Sequence, residues 1–350
     1  MTEGKLFTRV FGVEPDGIRQ AAQMIREGKL VAFPTETVYG LGADALNAEA
    51  VAKVYKAKGR PSDNPMIVHI AQVDDLLKLS LDKISGDMTK LIRSFWPGPL
   101  TLVVRANPII PKVTTGGLDT VAIRMPSNRT ALALITEAGT PIAAPSANLS
   151  GKPSPTTFSH VLDDLDERID GIIAGEPCKV GIESTVLDMT GTVPTILRPG
   201  IITKEELSRV LEKEVKFDPA LLGKPDMYNN GGHGLLETKD SFKPKSPGMK
   251  YKHYAPKAHM IIYKGDPDKV AFAMADERAN RIKVGEKVET LIFDSENPEE
   301  AAHEFFAKLR TCDKVGVDVI LAAALKEEGV GFAVMNRMFK SAGYNIVEVE

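Results

Sequence analysis

From residue 217 to residue 256 the apolar periodicity that organises the rest of this 350-residue chain stops. Asn229-Asn230-Gly231-Gly232-His233-Gly234 and recurring prolines fill the stretch, which is longer than ordinary connections inside a compact domain. A chain interrupted in this way does not bury one continuous core across the break, so two folding units are expected. The expected organisation is a first domain over residues 1–215, a linker over 216–256 and a small domain over 257–350. With 43% hydrophobic and 26% charged residues, there is apolar material for both cores.

In the first unit, Ile18, Ala21, Ala22 and Ile25 recur at helical spacing. Residues 30–33, 66–70, 100–104, 121–125 and 141–144 read as short strands. Helical patterns lie between them, at Ala48, Val51, Ala52 and Tyr55, at Met88, Leu91, Ile92 and Phe95, and around 131–135. Trp96-Pro97-Gly98-Pro99 breaks the helix that carries Met88 to Phe95. Residues 186–188 and 195–198 read as a final strand pair, and Thr203-Lys204-Glu205-Glu206 as a capping box that opens a helix. Several strand connections are too short for parallel crossovers, which predicts a twisted, mostly mixed sheet. In the second unit, strands expected at 259–263, 289–293, 316–321 and 345–349 alternate with helical patterns. That alternation predicts a small Rossmann-like, doubly wound domain. The fold class is α/β.

A formal charge of -3 argues against a constitutive nucleic-acid binder, whose domain would be strongly basic. Cys178 and Cys312 stand far apart without a CxxC partner, which excludes a Cys-rich zinc module and a disulfide framework. No segment has signal-peptide character or membrane-spanning length, so a cytoplasmic protein with no membrane association is expected.

Chemistry concentrates between residues 29 and 64. Pro34-Thr35-Glu36-Thr37-Val38-Tyr39-Gly40-Leu41-Gly42 follows a strand, and Lys58-Gly59-Arg60-Pro61-Ser62-Asp63-Asn64 follows the next helix. Cations beside hydroxyl and amide donors suit an anionic, phosphate-bearing ligand, although no P-loop sequence occurs. Gly40-Leu41-Gly42-Ala43-Asp44-Ala45 fits a relaxed dinucleotide fingerprint but reads better as a plain turn. Thr35, Glu36 and Thr37 suit either helix capping or a ligand. Lys56, Lys58 and Arg60 form either a solvated face or a phosphate clamp stiffened by Pro61 and Pro65. His69, inside an apolar strand and without a second His or Cys nearby, reads as a partly buried imidazole rather than a metal ligand. Arg124, at a strand end, must find a structural carboxylate or a ligand carboxylate, and both remain open. The small residues of 143–151 and 181–188 suit close approach of backbone to a ligand. No Ser-His-Asp, Cys-His or paired-acid set stands out, which favours catalysis by positioning and charge neutralisation.

PTETVYGLG, Lys58/Arg60 with Ser62/Asn64, NPMIVHI, WPGPLTLV, DTVAIRMP, PIAAPSANLSG, GIESTVLD and LRPG, in this order, resemble the YrdC family of threonylcarbamoyl-AMP synthases over residues 15 to 205. SPGMKYKHYAP and GVGFAVMNRMFKSAG resemble its long, two-domain form. The resemblance implies a YrdC-like catalytic domain and an enzyme joining L-threonine, bicarbonate or CO2, and ATP into threonylcarbamoyl-AMP and pyrophosphate. A separate tRNA threonylcarbamoyltransferase complex would take the product to an adenosine beside the anticodon. It implies a threonine pocket of Thr37, His69, Arg124, the backbone at Ala144, and Ser184. ATP contacts would be Arg60, Asn64, Thr120, Ser146, Ser154 and Arg198, with Lys58 as a further phosphate cation. Lys58 and Arg60 would act as the catalytic charges, Tyr251 in the linker would close over the nucleotide as part of a lid, and Mg2+ would be held through the phosphates. Two alternatives compete. One is a carbamoyltransferase of hydrogenase maturation, against which the two isolated cysteines count. The other is a non-catalytic RNA-binding or regulatory protein using Lys243, Lys245, Lys250, Lys252 and Lys257, against which the acidity counts; tRNA binding is expected to be weak or indirect.

Overall fold

The computed structural model describes residues 6–222 and 253–350. The first unit runs β1 (Arg9–Phe11), α1 (Pro15–Arg26), β2 (Val31–Phe33), β3 (Gly40–Asp44), α2 (Ala48–Lys58), β4 (Ile67–His69), α3 (Asp74–Leu79), α4 (Gly86–Phe95), β5 (Leu100–Arg105) and β6 (Thr120–Arg124). It continues with α5 (Arg129–Ala138), β7 (Ile142–Ala143), α6 (Phe158–Leu165), β8 (Gly171–Ile173), β9 (Thr185–Asp188), β10 (Thr195–Arg198), α7 (Lys204–Leu211), β11 (Lys216–Phe217) and α8 (Pro219–Leu222). The second unit runs β12 (His259–Gly265), α9 (Pro267–Lys283), β13 (Val288–Leu291), α10 (Pro298–Val315), β14 (Val319–Ala323), α11 (Gly329–Ser341) and β15 (Ile346–Val349).

Eleven strands form one mixed sheet, ordered β1-β8-β2-β3-β7-β4-β6-β5-β9-β10-β11. Strand alternation divides its residues between two faces. On one, Val68, Leu102, Val121, Ile123 and Leu187 pack with α2, α3, α4, α6 and α7 residues such as Val54, Leu76, Leu91, Val161 and Leu207. On the other, α1 and α5 cover Val31, Phe33, Ile142 and Ile173. Farther along that second face Ile67, Val103, Ala122, Val186 and Leu197 make only a small cluster. The polar ends of β4 and β6 emerge beside it. Thr203 and Glu206 form the expected capping box at α7.

The segment expected to be a plain turn, 40–45, is instead mostly β3, antiparallel to both β2 and β7. Its glycines disguise a strand because a side chain would not fit. A Cβ at Gly42 would stand 2.9 Å from both Phe33 Cε1 and Ile142 Cγ2. Thr35 to Thr37 cap no helix either: the Thr35 hydroxyl accepts from the Thr37 and Val38 amides and donates to the Val38 carbonyl, forming a local turn before β3. The short elements β1, α3, α6, β8 and β11 had no sequence expectation.

The smaller sheet is wholly parallel, ordered β13-β14-β12-β15. Alternate residues of β12 face opposite sides. Ile261 and Tyr263 pack with Val270 and Met274 of α9, while Met260 and Ile262 pack with Phe305, Leu309 and Val334 of α10 and α11. The domain is therefore doubly wound. Its second core also takes in Val38 and Ile182 from the first unit, so the two units share apolar contact next to the Thr37 turn.

Candidate active site

The site begins where apolar strands end in polar residues. β4 and β6 run parallel with His69 opposite Arg124, which puts the two side chains side by side on one sheet face. Arg124 is 3% exposed. Its Nε donates to the Gly98 carbonyl, its Nη1 to Thr37 Oγ1 at 2.9 Å, and its Nη2 forms an ion pair of 2.6 Å with Glu36 Oε1. The two hydrogen bonds use two of five guanidinium N–H groups, while Nη2 faces Glu36 as an ion pair without a hydrogen bond among the described residues. Burial alone would raise the Glu36 carboxyl, but the Arg124 charge holds it below its usual value. Burial, reinforced by Arg124, pushes His69 down to about 3, so the imidazole is neutral. Its Nδ1 has no hydrogen-bond partner among the described residues.

A second group of cations arrives from the end of α2. The Lys58 ammonium, 2% exposed, donates to the Ser146 and Asn148 carbonyls. Arg60 donates to the Asn64 and Pro65 carbonyls, with Pro61 and Pro65 framing this short loop. Burial, then the neighbouring Arg60 charge, drives Lys58 well below the usual lysine value. Burial brings Arg60 down to about 10, which leaves it charged at neutral pH. The Asn64 side-chain oxygen is buried without a hydrogen-bond partner among the described residues.

Arg198 comes from β10. There the pairing slips, with Ile196 opposite Leu187 but Arg198 opposite Val186. The extra residue is a β-bulge, which turns Arg198 to the side of its partner Val186 instead of the alternate face. Its guanidinium bonds the Ser184 carbonyl and hydroxyl, both at 3.0 Å, and Ser184 Oγ also lies 2.7 Å from Thr101 Oγ1. Glu183 accepts from Ser154 Oγ and pairs with Arg337 of α11 at 3.2 Å. Burial would raise Glu183, and the charges of Arg337 and Arg198 hold it low.

One small cavity of about 50 Å³ is lined by Thr37, Arg60, His69, Arg124, Ala144, Ser146 and Arg198, all expected from sequence, together with residues including Thr35, Tyr39, Glu183, His253 and Tyr254. An occupant of even amino-acid size would touch both the strand ends and the cations. Lys58, Asn64, Ser154 and Ser184 stand behind this lining. Thr120 shares the β6 face with Arg124 but begins the strand, roughly 13 Å away at about 3.3 Å per residue, and Ser62 is exposed. Tyr251 and most of the expected lid lie outside the described residues, as do all of the expected RNA-binding lysines except Lys257. Sequence reasoning weighs Glu36 only as a capping or ligand candidate and takes in His253 and Tyr254 only as part of the lid, and it misses Glu183 and Arg337 as site residues. A buried counter-charge such as Glu36 or Glu183 has no pattern of its own.

Comparison with known proteins gives concordant matches. A family model described as telomere recombination matches residues 23–200, and one described as threonylcarbamoyl-AMP synthase, C-terminal domain, matches 202–343. The chain is 46% identical to the threonylcarbamoyl-AMP synthase of Pyrococcus abyssi, over 96% of this chain and 97% of that one. It is also 46% identical to the Bacillus subtilis protein of the same name, over 94% of each. The crystal structure of P. abyssi Sua5 complexed with L-threonine superposes with a TM-score of 0.88 at 46% identity, covering 98% of this chain and all of the other.

Proposed function

Because this chain belongs to the threonylcarbamoyl-AMP synthase family, we propose that the pocket above joins L-threonine, bicarbonate or CO2, and ATP into threonylcarbamoyl-AMP and pyrophosphate. It is an enzyme, a nucleotidyltransferase of tRNA modification. The threonine amine captures CO2 as a carbamate. A carbamate oxygen then attacks the α-phosphorus, the bond to the β-phosphate oxygen breaks, and pyrophosphate leaves. Carbamate and triphosphate repel each other, so the reaction needs fixed positive charge and exclusion of water.

The observation that carries this reading is the meeting of Arg60, Arg124 and Arg198 in one cavity, with Lys58 bonded to the carbonyl of a lining residue. Arg124 has N–H groups left for the threonine carboxylate after meeting Glu36, with Thr37, neutral His69, the Ala144 backbone and Ser184 completing that side. Lys58, Arg60, Asn64, Thr120, Ser146, Ser154 and Arg198 would receive ATP, and Tyr251, outside the described residues, would close over it. Among the described residues no group of three His, Cys, Asp or Glu could hold a metal, and Glu36 and Glu183 are both paired with arginine. The donors among the described residues therefore do not fit Mg2+, which would enter on the triphosphate oxygens.

The product would pass to a separate tRNA threonylcarbamoyltransferase complex, with tRNA contact weak or indirect, and the reaction would run in the cytoplasm. No described helix is long and apolar enough to cross a membrane. The match of residues 202–343 to a synthase domain weighs against a purely RNA-binding role. The test is pyrophosphate release from ATP, expected only with both L-threonine and bicarbonate; equal release without threonine would refute the reading.

A further inference from the structure

The C-terminal domain reaches the nucleotide side of the pocket with two arginines. Arg337 is fully buried on α11. Its Nε pairs with Glu183 Oε2 at 3.2 Å and its Nη1 donates to the Pro199 carbonyl, one residue past Arg198. The other Glu183 oxygen accepts from Ser154 Oγ, itself fully buried. Arg310 on α10 approaches the same loop from the other side, donating to the Pro153 carbonyl at 2.6 Å and to Asp164 Oδ2 at 2.7 Å. The backing is close: a Cβ at Gly181 would stand 2.4 Å from the Ala302 carbonyl oxygen and 2.5 Å from His303 Cα.

Building on the reading that Ser154 and Arg198 receive ATP, we propose that Arg337 is a positioning residue for the nucleotide, acting through Glu183 on Ser154 and through the Pro199 carbonyl on the strand end that carries Arg198. The small domain is then part of the catalytic apparatus rather than an appendage. A side chain with no place in the lining fixes Ser154, just behind the lining, and the strand end of Arg198, which lines the cavity, and Arg310 pins the loop that Ser154 occupies. Glu183 forms its ion pair with Arg337, while among the described residues Arg198 hydrogen-bonds the neutral Ser184 carbonyl and hydroxyl. Glu183 therefore does not neutralise Arg198 completely, and charge remains for a phosphate. On the strand ends that would hold threonine, the described polar contacts of Arg124 and Thr37 come from the first domain alone; Ser184, bonded to Arg198, is the threonine-side residue that borders the path, so the larger effect falls on ATP.

The test uses the full chain and separate KM values for ATP and threonine. Arg337→Met is expected to raise the KM for ATP at least tenfold while the KM for threonine changes less than threefold, and Arg337→Lys should recover part of the loss. Glu183→Gln should raise the ATP KM as well, and the R337M/E183Q double variant should be little worse than Arg337→Met alone, because Arg337→Met already removes the Glu183 route. An unchanged ATP KM in Arg337→Met, or both KM values rising together with a lowered thermal midpoint, would overturn the proposal. Where Arg337→Met does not fold, isosteric Glu183→Gln decides, and an unchanged ATP KM there overturns it equally. Ser154→Ala separates the layers. If it leaves the ATP KM unaltered, the ATP reading of Ser154 fails and the proposal with it. If it raises that KM while Arg337→Met does not, only the proposal fails.

Discussion

The two sides of the pocket handle positive charge in opposite ways. At the strand ends Arg124 is balanced by Glu36 within 2.6 Å, and the adjacent His69 is neutral, so that side carries almost no net charge. At the end of α2, Lys58 and Arg60 bond carbonyl groups among the described residues, and beyond them Arg198 bonds Ser184 while the nearby Glu183 is paired with Arg337. Carbonyl dipoles soften a buried cation without cancelling it. A balanced side suits a zwitterionic amino acid, which needs orientation more than attraction. An unbalanced side suits a polyanion, which supplies the missing charge itself.

The largest expected effect falls on the unbalanced side. Arg60→Ala removes charge-assisted hydrogen bonds worth roughly 1.5–3 kcal/mol each, so pyrophosphate release should drop by about 10- to 100-fold or more, chiefly through ATP. Lys58→Ala should behave alike, with some loss of stability because the Ser146 and Asn148 carbonyls lose their donor. If the threonine KM rose as much as that for ATP, the division between the two sides would collapse. A smaller effect is expected from Arg124→Lys, which keeps a charge near Glu36 but gives up the planar fork that bonds Thr37 and Gly98. The threonine KM should rise about tenfold, the order of one lost hydrogen bond to a charged group, with ATP barely affected. Threonine binding measured by calorimetry as unaltered would remove Arg124 from the carboxylate role.

Much of this contrast was legible as motifs and little of it as charge balance. Arg124 and His69 stand out because polar residues interrupt an apolar strand, and Lys58 and Arg60 because glycine and proline break a basic run. Sequence left open whether Arg124 meets a structural or a ligand carboxylate; the structural one is Glu36, 88 positions away along the chain, in the turn before β3, which the sheet order β3-β7-β4-β6 sets on the same side as β6. Arg198 could be named from its motif, but its orientation depends on a bulge that strand periodicity does not encode. Gly40 and Gly42 misled because glycine ordinarily marks a turn, whereas here it lets β3 lie against Phe33 and Ile142. Arg337 was least legible, since its partners Glu183 and Pro199 belong to the other domain.

The smallest effect concerns His69, whose neutrality keeps the threonine side balanced. Its folded value of about 3 lies below the ordinary 6.5, so below pH 6.5 the unfolded chain binds a proton that the native protein refuses. Stability must therefore fall as pH drops from 6.5 toward 3, by up to roughly 1.4 kcal/mol per pH unit from this one group. His69→Gln, which cannot titrate, should show a shallower loss of thermal midpoint between pH 6.5 and 4.5 than the wild type, even if its midpoint at pH 8 is lower. By the same reasoning kcat/KM for threonine should show no His69-dependent limb between pH 6 and 8. If such a limb were present in the wild type and absent in His69→Gln, the imidazole would be titrating in the working range. Two cations would then face one Glu36, and both sides of the pocket would carry unbalanced charge.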